Sequence, residues 1–189
     1  MKCLLCEKLS LVHICKNCQS SFLQPALYKR KVQGIEVISF YKYHDIKDLL
    51  HTKHTDLGYY IYNILAQNSF KKFTLNFNLD FSLAAIAIDD TPKNLYSHTA
   101  ILSNALKSKV IKPLFNKLRA KNNISYAGKS KEFRLLNPRK FKLQTFLQND
   151  IILIDDIITT GTTINEAITE LKSNNKEVLF CLTLADSAQ

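Results

Sequence analysis

Hydrophobic residues along this chain form short continuous runs that alternate with segments of helical spacing. A run of about four to eight apolar residues is typical of a buried strand, whereas apolar residues at i, i+3, i+4 and i+7 indicate an amphipathic helix. The predicted strands cover residues 35–43, 84–88, 151–154 and 178–184. The predicted helices cover residues 57–70, 95–106 and 162–172, with shorter ones after Asp45 and at 131–136.

Strands that are apolar on both faces and alternate with helices are typical of a mostly parallel sheet covered by helices. We therefore predict an α/β fold, with a mostly parallel sheet flanked by helices, for residues 34–189. Residues 1–33 contain a cluster of cysteines, Pro25 and a basic stretch, and are predicted to form a small N-terminal module and its connection. Ligands bind at the carboxyl ends of parallel strands, so functional residues are expected there.

One predicted strand runs directly into a polar segment with the composition of a phosphate-binding loop. Residues 151–154 are all apolar, Asp155 and Asp156 follow, and four threonines then surround Gly161 before a helix begins. Glycine permits a tight turn with positive φ, and backbone N–H groups at the start of a helix attract anions. The residues predicted to bind a phosphate are Thr159, Thr160, Gly161, Thr162 and Thr163.

The two aspartates, Asp155 and Asp156, would repel that phosphate, so they are expected to face another part of the ligand. Vicinal sugar hydroxyls are natural donors to carboxylates, and a phosphorylated ribose would satisfy both ends of the segment. The alternative is an ordinary strand–turn–helix junction in which threonines cap the helix. Loops of the Walker and dinucleotide types are excluded, because neither glycine spacing occurs among the four glycines of the chain.

Four of the five cysteines lie within the first 18 residues, in two C-x2-C pairs. Two such pairs supply four thiolates, which suits a tetrahedral zinc ion with no open coordination position. The predicted ligands of this structural zinc knuckle are Cys3, Cys6, Cys15 and Cys18. The alternative is a group of reduced thiols without a metal. His13 could replace one ligand, while Cys181 falls in a predicted strand and is expected in the core.

Charge is distributed unevenly along the chain. The formal net charge is +10, and the segment between Lys107 and Lys142 carries twelve basic residues but a single acid, Glu132. Such a block suggests a polyanionic partner, although solvated surface lysines give the same pattern. If the partner is single-stranded DNA, interleaved aromatic residues would stack on its bases. The predicted contacts are Lys109, Lys112, Lys117, Arg119, Lys121, Lys129, Lys131, Arg134, Arg139 and Lys140, with Phe115, Tyr126, Phe133 and Phe141.

The sequence contains no run of about 20 apolar residues, the length that a transmembrane segment needs. Its N-terminus has neither the apolar core nor the cleavage site of a signal peptide, and clustered cysteines outside a disulfide framework favour a reducing compartment. A cytoplasmic location is therefore expected.

The segment from Ile151 to Thr163 resembles the phosphoribosyl pyrophosphate loop of type I phosphoribosyltransferases. Further residues, together with the cysteine knuckle, are similar to the ComF family over nearly the whole chain: Tyr41, Tyr43, Ile46, Leu49, Lys53, Gly58, Arg134, Asn137 and Phe141. Two features depart from the family pattern. The stretch 88–99 has no arginine where the family is arginine-rich, and the spacing between Asn137 and Phe141 is one residue short.

The resemblance implies a type I phosphoribosyltransferase-like fold that binds phosphoribosyl pyrophosphate together with magnesium. It also implies a role in competence, the uptake of DNA during natural transformation, with single-stranded DNA and membrane-associated uptake proteins as partners. The alternative is an active phosphoribosyltransferase that transfers ribose 5-phosphate to an unknown acceptor. A third hypothesis is a regulator that senses the nucleotide precursor without DNA. The sequence assigns no catalytic residue.

Overall fold

The computed structural model describes residues 1–75, 77, 79–92, 95–122 and 131–189, without the side chains of residues 131, 134 and 135. Its helices are α1 (Lys16–Phe22), α2 (Tyr43–His51), α3 (Asp56–Asn68), α4 (Phe70–Leu75), α5 (His98–Ala105), α6 (Lys131–Leu136) and α7 (Thr162–Ser173), and Thr52–His54 forms a 3₁₀ turn. Its strands are β1 (Tyr28–Val32), β2 (Ile35–Lys42), β3 (Leu83–Ile88), β4 (Ile111–Ala120), β5 (Phe141–Leu143), β6 (Asp150–Ile158) and β7 (Glu177–Asp186).

Within the described residues, seven strands form one sheet in the order β1-β2-β7-β6-β3-β4-β5. Strand β1 is antiparallel to β2, and β5 is antiparallel to β4, whereas the strands from β2 to β4 in this order are parallel. The prediction of a mostly parallel α/β sheet flanked by helices is therefore confirmed. Because β6 lies at the centre, its carboxyl end meets those of β7 and β3 at one edge of the sheet.

Alternate residues of β6 contribute to opposite faces of the sheet, as the two-residue period of a strand requires. Ile152 and Ile154 join an apolar cluster with residues of α2, α3, α4 and α5. Ile151 and Leu153 join a second cluster with residues of α7. Burial on both faces explains why this strand reads as a continuous apolar run in the sequence.

The N-terminal cysteine segment is packed against the sheet domain. Ile14 is fully buried in the same apolar cluster as Phe40 and Phe70. Asn68 Nδ2 in α3 donates a hydrogen bond to Gln19 Oε1 in α1 at 3.0 Å. The segment therefore shares a core with the sheet, and the division into domains between residues 33 and 34 stays a prediction.

The hydrophobic pattern does not predict β1, β4 or β5. In β4 the alternation is broken by a bulge, since Ile86 and Ile88 of β3 pair with Leu114 and Leu118 of β4. Asn116 lies in this bulge with φ of 57°, and its N–H donates to Asp90 Oδ2 at 2.6 Å. A basic strand that contains a bulge lacks both signals on which strand prediction depends.

Helix boundaries also differ from those predicted. The helix predicted over 57–70 ends at Asn68, because Ser69 has φ of −121° and ψ of −80°, and α4 begins at the next residue. The helix predicted over 95–106 begins at His98, where the Ser97 side chain accepts a hydrogen bond from the N–H of Ala100. Among the described residues, no helix is both long and apolar enough to span a lipid bilayer.

Candidate functional site

The predicted ligand-binding segment lies at the carboxyl end of the central strand. Strand β6 extends to Ile158, so Asp155 and Asp156 lie within its second half and not after it, with Asp155 paired to Thr183 of β7. On the other side, β3 pairs with β6 up to Ala87 and Ile154. The strand is thus fixed by two neighbours immediately before the aspartates, which gives the following turn a rigid support.

The phosphate loop, defined here as residues 159–163, turns tightly into α7. Gly161 adopts φ of 79°, in the left-handed region that favours glycine. Its carbonyl accepts a hydrogen bond from Asn165 N–H at 2.8 Å, which begins the helix. Thr160 Oγ1 and Thr162 Oγ1 are hydrogen-bonded at 2.9 Å. The first N–H groups of a helix lack intrahelical acceptors, so this turn combines amide donors with threonine hydroxyls.

The loop is braced from the edge strand β1 by Arg30. Its Nη2 donates to the carbonyl oxygen of Thr159 at 2.6 Å, and its Nε lies 3.2 Å from Asp186 Oδ2 at the end of β7. Val32 also approaches the loop, since a Cβ added at Gly161 would lie 3.0 Å from Val32 Cγ2. The sequence places Arg30 in a connection and gives no sign of this role, because the contact spans 129 positions.

Asp156 is buried and surrounded by donors. Its Oδ2 lies 2.9 Å from Lys53 Nζ, 3.4 Å from His98 Nε2 and 3.4 Å from the Tyr62 hydroxyl, while its Oδ1 accepts from Ile157 N–H at 2.8 Å. Burial opposes ionisation of this carboxyl, but Lys53 and His98 outweigh it and hold its pKa below the ordinary value. The structure therefore places a lysine and a histidine beside this carboxyl, and the sequence pattern does not single out His98.

Asp155 is only half-buried, and its contacts differ from those of its neighbour. Its Oδ1 accepts a hydrogen bond from Asp156 N–H at 2.9 Å. Burial raises the pKa of the Asp155 carboxyl, and the adjacent Asp156 carboxylate raises it further. The two predicted sugar-binding carboxyls thus have opposite electrostatic environments although they are adjacent in sequence.

A second pair of aspartates follows β3 at the same edge. Asp89 has φ of 48°, and its Oδ2 lies 3.7 Å from Arg139 Nη1. Asp90 accepts from Asn116 N–H through Oδ2, whereas its buried Oδ1 has no hydrogen-bond partner among the described residues. Burial raises the pKa of the Asp90 carboxyl above its ordinary value. Asp90 holds the β4 bulge, while Asp89 and Arg139 connect the site to the basic segment.

The four N-terminal cysteine sulfurs lie within 4.8 Å of one another. Zn–S bonds of about 2.3 Å place the sulfurs of a tetrahedral site about 3.8 Å apart, and the Sγ atoms of Cys6 and Cys15 are 3.7 Å apart. Cys15 N–H donates to Cys3 Sγ at 3.3 Å, and this bond lowers the pKa of Cys3 to about 6. Four thiols of this spacing, one stabilised as a thiolate, suit a structural zinc ion.

His13 does not belong to this group of ligands. Its ring lies 4.7 Å from the ring of Tyr60, on α3, and the described metal-ligand cluster consists of the four cysteines. Cys181 is buried in the sheet, as the sequence predicts, and burial raises its pKa to about 12. The closed set of four sulfurs leaves no coordination position for a substrate.

The basic segment is only partly an exposed loop. At the sheet edge, residues 118–120 of β4 pair antiparallel with residues 141–143 of β5, and Arg119 lies opposite Lys142. Strands β4 and β5, together with Lys121 and Lys140, are called the basic ribbon below. Phe115 is 42% exposed, whereas Phe141 is buried in the core and is unavailable for stacking. Lys117 Nζ donates to the carbonyl oxygen of Thr145 at 2.9 Å. Four predicted DNA contacts, or their side chains, lie outside the described residues: Tyr126, Lys129, Lys131 and Arg134.

Two cavities are lined by residues outside the phosphate loop. One, of about 210 Å³, lies between α3 and α5 and is lined by Asn63, Asn104 and others. The other, of about 590 Å³, lies between α7 and the basic ribbon, where Lys121 and Lys140 face Glu166.

No protein-family model and no curated protein sequence matches this chain. Among solved structures, it is similar to the crystal structure of orotate phosphoribosyltransferase from Aeropyrum pernix, with a TM-score of 0.40 and 18% sequence identity. The match covers 90% of this chain and 80% of that chain. A TM-score below 0.5 is too low to carry a functional assignment, so function must be inferred from the contacts of this chain.

Proposed function

We propose that this protein has a type I phosphoribosyltransferase-like fold, binds phosphoribosyl pyrophosphate at the phosphate loop, and binds single-stranded DNA during DNA uptake in the cytoplasm. One observation carries the ligand assignment. A central strand buried on both faces brings two carboxyls to the sheet edge and continues, through left-handed Gly161 and a threonine-rich turn, into the N-terminus of α7. Amide and hydroxyl donors at the turn suit a phosphate, and carboxyls before it suit sugar hydroxyls.

Magnesium would enter with the ligand, bound to the diphosphate oxygens, since it prefers hard oxygen donors and retains several waters. The zinc knuckle would remain a structural element outside the reaction. Membrane-associated uptake proteins are the expected protein partners of such a function. The acceptor of a transferase reaction is left open by this proposal.

Isothermal titration calorimetry with phosphoribosyl pyrophosphate and magnesium tests the ligand assignment. Thr163→Val removes a hydroxyl from the first turn of α7 and is expected to weaken binding about tenfold, the effect of losing one hydrogen bond to a charged group. Thr169→Val changes the same residue type on the exposed side of α7 and should leave affinity unchanged. Absence of binding by the wild-type protein would reject the assignment.

The DNA assignment is supported by the charge of the basic ribbon. Arg119 and Lys142 lie opposite each other on paired strands, an arrangement of like charges that destabilises a sheet. Lys112, Lys121 and Lys140 are also exposed. Phe115 adds an exposed ring that can stack on a base. A polyanion would neutralise this repulsion, and an unpaired strand would supply both phosphates and accessible bases.

Fluorescence anisotropy of a labelled oligonucleotide, measured across a salt series, tests this surface. Replacing Arg119, Lys140 and Lys142 by alanine should reduce the slope of log affinity against log salt by about 2, at about 0.7 per phosphate contact. The matched control replaces Lys16, Lys47 and Lys172, which are exposed elsewhere, and changes the net charge equally. Equal slopes in both variants would show that the ribbon makes no specific contact with DNA.

Phosphoribosyl transfer to an unknown acceptor is the alternative, favoured by the threonine-rich loop together with Lys53 and His98 at Asp156. The pure protein should be incubated with phosphoribosyl pyrophosphate, magnesium and candidate bases, and pyrophosphate release measured. Release that depends on a base would establish the transferase. Ligand binding without release would favour the binding protein.

A further inference from the structure

The carboxyl ends of the strands carry several aspartates, and most of them already have a cation. Asp186 is paired with Arg30 at 3.2 Å, Asp89 with Arg139 at 3.7 Å, and Asp156 with Lys53 at 2.9 Å. Asp155 Oδ1 accepts a hydrogen bond from the backbone N–H of Asp156. Asp90 also has an oxygen without a hydrogen-bond partner among the described residues, but that residue is only 2% exposed and holds the β4 bulge. Asp155 is half-buried and is therefore the more accessible carboxyl with capacity left to accept bonds from a ligand.

Asp156 has little such capacity. A carboxylate offers about four lone-pair sites, and the side chain of Asp156 already has Lys53, His98 and Tyr62 around one oxygen and the Ile157 N–H at the other. Only 7% of the residue is exposed. With most of its acceptor sites occupied and little of it exposed, this carboxylate is poorly placed to bind sugar hydroxyls.

The donors around Asp156 come from separate elements. Lys53 lies in the 3₁₀ turn, and its carbonyl oxygen accepts from the Tyr96 hydroxyl at 2.7 Å. His98 is the first residue of α5, and its ring lies 5.3 Å from the ring of Tyr62 on α3. The buried carboxylate thus joins three elements at the mouth of the site and fixes the orientation of the Lys53 and His98 side chains.

We propose that the adjacent aspartates have separate tasks: Asp155 contacts the ribose hydroxyls, and Asp156 is a positioning residue that holds Lys53 and His98 at the edge where the anionic ligand binds. This inference rests on the proposed binding of phosphoribosyl pyrophosphate. It assigns to Lys53 the neutralisation of charge on an anionic ligand, which an edge carrying several carboxylates would otherwise repel, and to His98 a hydrogen bond from its ring.

A double-mutant cycle in ligand affinity tests the division of tasks. Asp155→Asn, Asp156→Asn and Lys53→Met should each weaken binding of phosphoribosyl pyrophosphate about tenfold or more. If Asp156 acts through Lys53, combining Asp156→Asn with Lys53→Met should cause no further loss of ligand affinity beyond that of the single variant with the larger loss. The losses from Asp155→Asn and Lys53→Met should instead multiply. Lys53→Arg should restore part of the affinity, and Lys47→Met on the exposed side of α2 should have no effect.

The proposal would be overturned if the affinity losses of Asp156→Asn and Lys53→Met multiply in the double variant. It would also be overturned if Lys53→Met binds the ligand as tightly as the wild type. Lys53→Met leaves both aspartates in place, so the test remains valid if Asp156→Asn does not fold. A ligand-free measurement separates this inference from the proposed function: the Asp156 Cγ resonance should titrate at higher pH in Lys53→Met than in the wild type. If the wild type binds no phosphoribosyl pyrophosphate, the function and the Asp155 role both fail, while this titration still decides whether Lys53 and Asp156 are linked.

Discussion

The cysteine knuckle (residues 1–23) and the phosphate loop are ordered by different means. The knuckle contains one short helix and a single isolated bridge, between Lys2 and Leu9, and its centre is a group of four sulfurs. The phosphate loop instead follows a strand that is paired on both sides and buried on both faces. A metal ion would organise the first, whereas the sheet itself organises the second before any ligand arrives.

The largest effect is expected from removing a zinc ligand. Cys15→Ser should release the metal and lower the melting temperature by about 10 °C or more, because the binding energy of structural zinc is folding energy. The buried Ile14 lies in the same apolar cluster as Phe40 and Phe70, so the sheet domain should also lose stability. Elemental analysis and differential scanning calorimetry measure the two effects.

Cys181→Ala serves as the control, because it removes a cysteine from the sheet and should leave zinc content unchanged. A wild-type protein purified without chelators that contains no zinc would contradict the metal assignment. An unchanged melting transition of the sheet in Cys15→Ser would show that the knuckle is an independent unit.

An intermediate effect is expected at the turn of the phosphate loop. Gly161→Ala places a Cβ 3.0 Å from Val32 Cγ2 in a residue with φ of 79°, and should cost about 2 kcal/mol in the free energy of unfolding. Gly34→Ala has the same backbone conformation, with φ of 80°, but meets no atom within 4 Å. It should cost less and leave ligand affinity unchanged. If denaturant unfolding shows equal losses of stability for the two variants, the Val32 side chain moves aside at little cost, and the loss comes from the backbone conformation alone.

A smaller effect is expected where the knuckle meets α3. Gln19→Ala removes the acceptor of the Asn68 bond and the donor to the Ile14 carbonyl oxygen. The expected cost is about 1–2 kcal/mol, or about 2–8 °C, with the zinc retained. Gln24→Ala is the control, since that side chain is exposed. If Gln19→Ala releases zinc, the docking surface and the metal site are one cooperative unit.

The smallest effect concerns pH and Asp155. The pKa of the Asp155 carboxyl is raised in the folded state, whereas in the unfolded state this group loses its proton near the ordinary value of 3.8. Above pH 3.8 the folded state therefore binds more protons than the unfolded state, and the free energy of unfolding falls as the pH rises. Asp155→Asn removes this dependence. Because solvent reaches this half-buried carboxyl and screens much of the cost of its charge, the melting temperature of Asp155→Asn should equal that of the wild type near pH 4 and exceed it by only about 2–4 °C, equivalent to about 1 kcal/mol, at pH 9. A difference in melting temperature that does not grow with pH would show that ionisation of Asp155 does not destabilise the folded state.

The α/β class, the knuckle and the strand–turn–helix segment could be predicted because each is a local pattern. Ile151 to Ile154 are apolar in succession, and the cysteines are close in sequence. The surroundings of Asp156 could not be predicted, since Lys53, Tyr62 and His98 come from three elements that only the sheet brings together. The basic strand β4 could not be predicted either, because its bulge is held by the side chain of Asp90, 26 positions away from Asn116.

Strand β1 has a consequence for how the chain could be shortened. A cut at residue 33 would remove the zinc ligands together with a strand that pairs with β2 over five positions. The exposed edge of β2 includes Val37, Ile38 and Phe40, all buried in the full chain, and unpaired apolar edges recruit strands from other molecules. Lys29 and Lys31 are exposed on the strand that covers this edge in the full chain. We therefore expect the truncated chain to precipitate at concentrations where the full chain stays in solution.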